Sequence, residues 1–153
     1  MELTDILSEE SVVVCTGLKT KREVLEKLAE RAAEVTGQDA AAIFASIYDR
    51  EVLGSTGLGN GIAIPHGKLP KFGKLFGLFA RLEQPIDFEA LDGQPVDLMF
   101  LLLAPETAGA DHLKALARIA RLLRDPEVAQ KLRASSDAEA LYAVLALPSA
   151  SAA

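Results

Sequence analysis

The chain has 153 residues, 50% of them hydrophobic and 25% charged, a composition that suits one ordinary globular domain with a core of its own. A formal net charge of -6 leaves no electrostatic footprint for nucleic acid or for an anionic membrane. The N-terminus has no basic segment leading into an apolar run, and the longest apolar stretch, Leu98 to Ala104, is far short of a bilayer span, so a cytoplasmic protein without membrane insertion is expected.

Strand and helix signals alternate along the chain. Ser11 to Thr16 has the β-branched density of a short buried strand, and Cys15, the single cysteine, reads as a buried structural thiol within it. Thr20 with Glu23 three residues on is a capping-box pattern, after which Val24, Leu25, Leu28, Ala32 and Val35 recur at helical spacing as far as Gly37. Asp39 suits the cap of a second helix with Ile43, Phe44 and Ile47 on its buried side and Arg50 near its C-terminal end.

The glycine-rich stretch after this helix is the most informative in the chain. Gly54, Gly57, Gly59 and Gly61 surround Ser55 and Thr56, and such a run can turn backbone N–H groups and hydroxyls toward an anion. Ile62 to Ile64 reads as a very short buried strand, and Pro65 fixes the backbone just ahead of His66, one of only two histidines. A fixed imidazole beside an anion-receiving loop outlines a phosphohistidine site, with the Arg50 guanidinium delivered by the preceding helix.

Downstream, Leu75 to Leu82 and Val96 to Leu103 read as strands, the second central and covered on both faces. Glu83 to Pro95, with its prolines and glycine, reads as a connection. Leu113, Leu116, Ala117, Ala120 and Leu123 trace the apolar face of a helix that starts at Asp111 and ends at Arg124, and His112 falls at its N-terminus, where an anion is favoured. A short helix from Pro126 and a last one capped by Ser136 with Glu139 follow, and residues 148–153 read as a disordered tail. The pattern as a whole predicts an α/β sandwich: one mixed sheet flanked by helices on both faces.

Several chemistries are excluded. The loop lacks the spacing of a P-loop and of a dinucleotide fingerprint, and it follows a helix where both of those follow a strand. One cysteine and two histidines far apart in sequence provide no metal-ligand cluster, and no Gly-x-Ser-x-Gly elbow is present. No metal and no cofactor is expected. Taken singly, Arg50, Ser55 and His112 also have ordinary structural readings, Gly57 and Gly59 serve backbone shape, and Lys68 and Lys71 suit a solvated surface.

Gly54-Ser-Thr-Gly-Leu-Gly-Asn-Gly-Ile-Ala-Ile-Pro-His66, preceded by Arg50-Glu51, resembles the active-site segment of enzyme IIA domains of the fructose/mannitol class in the bacterial phosphoenolpyruvate phosphotransferase system. The resemblance extends through Pro85 to Leu98 and from His112 to Asp125, segments most like those of the nitrogen-regulatory members, and gives residues 1–147 as the domain. It implies a histidine phosphorylated by a small HPr-like histidine phosphocarrier, passed on to a IIB domain in transport members or read by regulatory protein targets. It also implies that His112 sits beside the acceptor as a donor to the phosphoryl group.

The expected catalytic residues are therefore His66 as acceptor with Arg50 and His112 assisting, and the expected phosphoryl-binding residues are Ser55, Thr56 and Gly57. An apolar docking rim is expected around Leu58 and Leu69. Three functions stay open from sequence: a regulatory phosphoryl carrier, a stand-alone IIA subunit of a sugar permease, and a binding module that kept the fold without the chemistry.

Overall fold

Strand β6 (Val96–Pro105) lies at the centre, and every residue from Leu98 to Ala104 is fully buried. Its side chains alternate: Leu98, Phe100 and Leu102 enter one apolar layer, Met99, Leu101 and Leu103 the other. The computed structural model describes residues 2–147. The tail expected from Pro148 lies outside them.

The sheet is mixed and six-stranded, in the order β1 (Val12–Cys15), β5 (Phe76–Ile86), β6, β3 (Ile62–Ala63) and β2 (Gly57–Gly59), with β4 (His66–Leu69) also on β6. Helices α1 (Lys21–Thr36) and α2 (Ala40–Val52) cover one face through Val24, Leu25, Leu28, Ile43 and Ile47. The other face is covered by α3 (Ala110–Arg124), α4 (Pro126–Ala134), α5 (Ala138–Ala146) and two N-terminal 3-10 turns, Leu3–Asp5 and Glu9–Ser11. This is the sandwich expected from the sequence.

Thr20 closes the expected capping box with Glu23, and Gly37 ends α1 in the left-handed conformation at φ 77°. Asp39 caps α2 by accepting from the Ala42 N–H. Cys15 is buried, and burial raises its thiol pKa.

Five readings are corrected. The glycine run is not an open loop: β2 and β3 form an antiparallel hairpin whose turn residues Asn60 and Gly61 both have positive φ, 56° and 79°, as a two-residue hairpin turn demands. Strand β5 does not stop at Leu82. It runs through Pro85 to Ile86 after a register shift, because β1 pairs with it only as far as Leu82 and leaves the edge beyond without a neighbour that would need the missing proline N–H. The buried face of α3 is Ala115, Ile119 and Leu123, so that Leu113 is 61% exposed. Helix α5 is capped by Asp137, whose carboxylate accepts from the Ala140 N–H, and not by Ser136. Leu69 is buried and forms no rim.

The run from β3 to β4 sets the position of His66. Ile62 and Ala63 pair in parallel with Leu98 and Met99, and His66 to Leu69 pair in parallel with Leu102 to Pro105 along the same edge of β6. Pro65 interrupts the line, having no N–H to give, but its carbonyl still accepts from the Leu102 N–H at 3.0 Å and keeps the register. Ile62 and Ile64 point into the α3 layer and Ala63 into the α2 layer. The same alternation sends His66 toward α3 and Gly67 toward α2, where a Cβ on Gly67 would overlap the Ser46 hydroxyl and lie 3.1 Å from Ser46 Cβ.

Gly67→Ala should therefore destabilise the fold by about 1–3 kcal/mol through overpacking, whereas Gly73→Ala, with open space around it, should stay within about 0.5 kcal/mol of the parent. Urea unfolding of the two variants, read as midpoint shifts at constant slope, checks the contrast.

Candidate active site

The His66 ring is half-buried where the β3–β4 line restarts, and its Nδ1 lies 2.9 Å from the Ile64 carbonyl oxygen. A carbonyl can only accept, so this bond requires the proton on Nδ1 and leaves the lone pair of a neutral ring on Nε2. Burial is the main influence that lowers the pKa of His66 below its ordinary 6.5. The Ile64 carbonyl opposes it, Arg50 and His112 reinforce it, and Glu51 opposes it more weakly.

His112 stands in the first turn of α3, its ring centroid 6.0 Å from that of His66 with the planes 44° apart. Its pKa is also lowered, by burial first and by the Lys68 ammonium, against the Gly109 carbonyl. Arg50, in the last turn of α2, donates from Nη1 to the Gly54 carbonyl at 2.9 Å. Its guanidinium and the His66 ring border two adjoining cavities, one shared with Ser46, Lys68 and His112, the other with Thr56, Leu58 and Leu116. The structure thus brings Arg50, His66 and His112 together across three elements.

The expected anion-binding loop residues are placed differently. Ser55 Oγ donates to the Phe88 carbonyl at 2.8 Å and accepts from the Gly57 N–H at 3.1 Å. Thr56 is buried, and both its N–H and its hydroxyl donate to the Glu51 carboxylate, at 2.8 and 2.6 Å. The hydroxyls of Ser55 and Thr56 and the N–H groups of Thr56 and Gly57 are engaged within the protein. These residues line the cavity beside His66, and their hydrogen bonds hold the hairpin to α2 and to the segment around Phe88.

The family model described as "Phosphoenolpyruvate-dependent sugar phosphotransferase system, EIIA 2" matches residues 5–147. The chain belongs to this EIIA family. The nitrogen regulatory protein of Bradyrhizobium diazoefficiens is 62% identical over 153 residues, 100% of each chain. That of Escherichia coli K12 is 40% identical over 146 residues, covering 95% of this chain and 90% of its own. Among solved structures, the nitrogen regulatory protein IIA-Ntr from Neisseria meningitidis matches with a TM-score of 0.86 at 34% identity, over 94% of this chain and 98% of that one.

Two features that support this candidate site and its hairpin escaped the sequence reading. Glu51 is only 5% exposed, and its carboxylate takes the Lys21 ammonium at 2.9 Å in addition to Thr56. The signal was available, since Glu51 falls on the Ile43, Ile47 stripe at a spacing of four and puts a charge on the buried face of α2. Arg133 of α4 grips Asp97 through Nε and Nη2 and donates to the Asn60 carbonyl at 2.7 Å, which pins the hairpin tip. No local pattern marks that long-range pair. Among the described residues no helix is long and apolar enough to cross a membrane.

With both histidines held low, the unfolded chain takes up protons first as pH falls. Their contribution to stability is whole above the ordinary 6.5 and is lost as pH drops through that value toward the folded-state ones. Ring NMR should find both half-titrations below 6.5, and His66 titrating at or above it would contradict the role of burial. The denaturation midpoint should fall between about pH 7.5 and 5.5, and His66→Gln/His112→Gln protein should lose part of that fall.

Proposed function

We propose that this EIIA protein carries a phosphoryl group on His66 Nε2, taken from an HPr-like histidine phosphocarrier, and serves a regulatory, nitrogen-related branch in the cytoplasm. The observation that carries the reading is the pinned ring: Nδ1 is committed to the Ile64 carbonyl, and the ring borders cavities shared with Arg50 and His112.

The neutral, Nδ1-protonated imidazole attacks phosphorus with the Nε2 lone pair. The N–P bond of the carrier's phosphohistidine breaks as the new one forms, and its electron pair returns to the carrier's ring. Such transfer depends on positioning and on stabilising the equatorial oxygens rather than on covalent help from the protein. Arg50 supplies a permanent cation with donors to spare. His112 has one N–H while neutral, and the incoming dianion raises its proton affinity so that it donates as an imidazolium. Ser55, Thr56 and Gly57 act here as the cavity wall and its support, a narrower role than the sequence reading gave them.

The regulatory assignment draws on the relatives named nitrogen regulatory protein. Service to a sugar permease is the second reading, favoured by the family's description as part of a sugar phosphotransferase system. Onward transfer to a IIB domain distinguishes the two: rapid loss of label to a IIB partner supports transport, and label retained on this chain supports regulation.

Incubation with phosphoenolpyruvate, enzyme I and the carrier should place one acid-labile, base-stable phosphate on the chain, and His66→Ala should abolish it. Full labelling of His66→Ala would overturn the assignment. Arg50→Ala and His112→Ala should each slow transfer by about tenfold to a hundredfold while leaving it detectable, in keeping with the loss of one charge-assisted hydrogen bond. Wild-type rates in both variants would remove them from the site.

A further inference from the structure

Beneath His66 the hydrogen bonds form a continuous line. The Lys21 ammonium lies 2.9 Å from Glu51 Oε2, which also accepts from the Thr56 N–H at 2.8 Å, while Glu51 Oε1 accepts from the Thr56 hydroxyl at 2.6 Å. The Thr56 carbonyl accepts from the Ile64 N–H at 3.1 Å, and the Ile64 carbonyl accepts from His66 Nδ1 at 2.9 Å. Ile64 lies in the interval where the edge leaves the ladder with β6, after Ala63 and before His66, and its N–H is held from the hairpin side by Thr56. The one carbonyl that fixes the His66 tautomer is therefore held from two sides, by the Pro65 carbonyl's bond with the Leu102 N–H and by the Ile64 N–H bond to Thr56, and the second depends on where Thr56 is held.

We propose that Glu51 is a positioning residue for the phosphoryl acceptor, a buried carboxylate that anchors Thr56 and, through the Thr56–Ile64 and Ile64–His66 hydrogen bonds, keeps the imidazole in the Nδ1–H tautomer with Nε2 as the acceptor. Thr56 has two donors converging on this one carboxylate, so its backbone is located in two directions. Lys21 neutralises the carboxylate from the far side, is only 18% exposed, and sits 4.5 Å from the centre of the buried Phe88 ring, which confines the ammonium to that position. A buried carboxylate with this many partners is costly to disturb, and the strain of losing it falls on the Thr56 segment that carries the line to His66. The inference rests on the phosphoryl-carrier reading for its kinetic consequence and on geometry alone for the tautomer.

The test compares Glu51→Ala, Glu51→Gln and Thr56→Val in the full-length chain. Glutamine can keep the geometry, with its carbonyl oxygen in the place of Oε2, accepting from Thr56 N–H and Lys21, and its amide donating to the Thr56 hydroxyl oxygen. The first readout is the ring nitrogen NMR spectrum of His66 above its half-titration. The parent and Glu51→Gln should show one tautomer, protonated at Nδ1, and Glu51→Ala a mixture of two. The second is the rate of phosphoryl uptake from the carrier, which should fall by about tenfold or more in Glu51→Ala and stay within about threefold of the parent in Glu51→Gln. Should Glu51→Ala fail to fold, Thr56→Val decides, with a loss of about threefold to tenfold expected for one of the two bonds and a partial tautomer mixture. A folded Glu51→Ala, or failing that Thr56→Val, with the parental tautomer and rate overturns the proposal, as does a folded Glu51→Gln that behaves like Glu51→Ala. If no variant, nor the parent, takes up phosphate, the carrier reading fails, and the tautomer spectra still decide this one.

Discussion

The fold depends on the fact that β6 has no solvent face. With its side chains buried in two apolar layers, its backbone groups have no water to turn to, so both edges must be paired along their length. Strand β5 satisfies one edge in an antiparallel ladder. The other is satisfied by two short pieces, β3 and β4, and the interval between them is where the backbone is released from the ladder without leaving the sheet. His66 begins the second piece. The need to cover β6 thus fixes the backbone that carries the imidazole, and the site inherits its rigidity from the core.

The electrostatics are local and run against the net charge. A chain with a formal charge of -6 gathers Arg50, Lys68 and both of its histidines around one pair of cavities. Burial first, and these cations after it, lower the pKa values of both imidazoles, and under the proposed function the same cations would favour an incoming dianion. The exposed apolar side chains nearest this cluster in sequence are Val52 and Leu53 at the end of α2 and Leu113 beside His112.

How much of this was legible in the sequence depended on whether the deciding interaction was local. The capping box of Thr20, the Gly37 terminus and the continuous apolar run of β6 carry their own physical signal, and the layers and the sheet type followed from them. The nearness of His66 to Arg50 came from the helix–loop unit that joins them. The role of the glycine run was obscured because glycine permits anion-binding loops and hairpin turns alike, and Asn60-Gly61 was the local mark of the second. The α3 face was misread because Leu113 shares a helical spacing with residues that do pack, while in the assembled fold it is exposed in the first turn of the helix. Glu51 and Arg133 act through partners distant in sequence, Lys21 and Asp97, and pairings of that kind are decided by the assembled fold.

The ring pinned to the Ile64 carbonyl also bears on how a carrier of this kind would behave in a cell. An acceptor already held in its reactive orientation needs no rearrangement to take a phosphoryl group and none to surrender it, so forward and reverse transfer meet the same prepared site. Under the proposed function one N–P bond is exchanged for another of the same kind, so the transfer would be close to reversible. The fraction of molecules phosphorylated would then follow the ratio of charged to uncharged donor instead of the time since a stimulus, and a chain so built would work as a gauge of that ratio rather than as a timer.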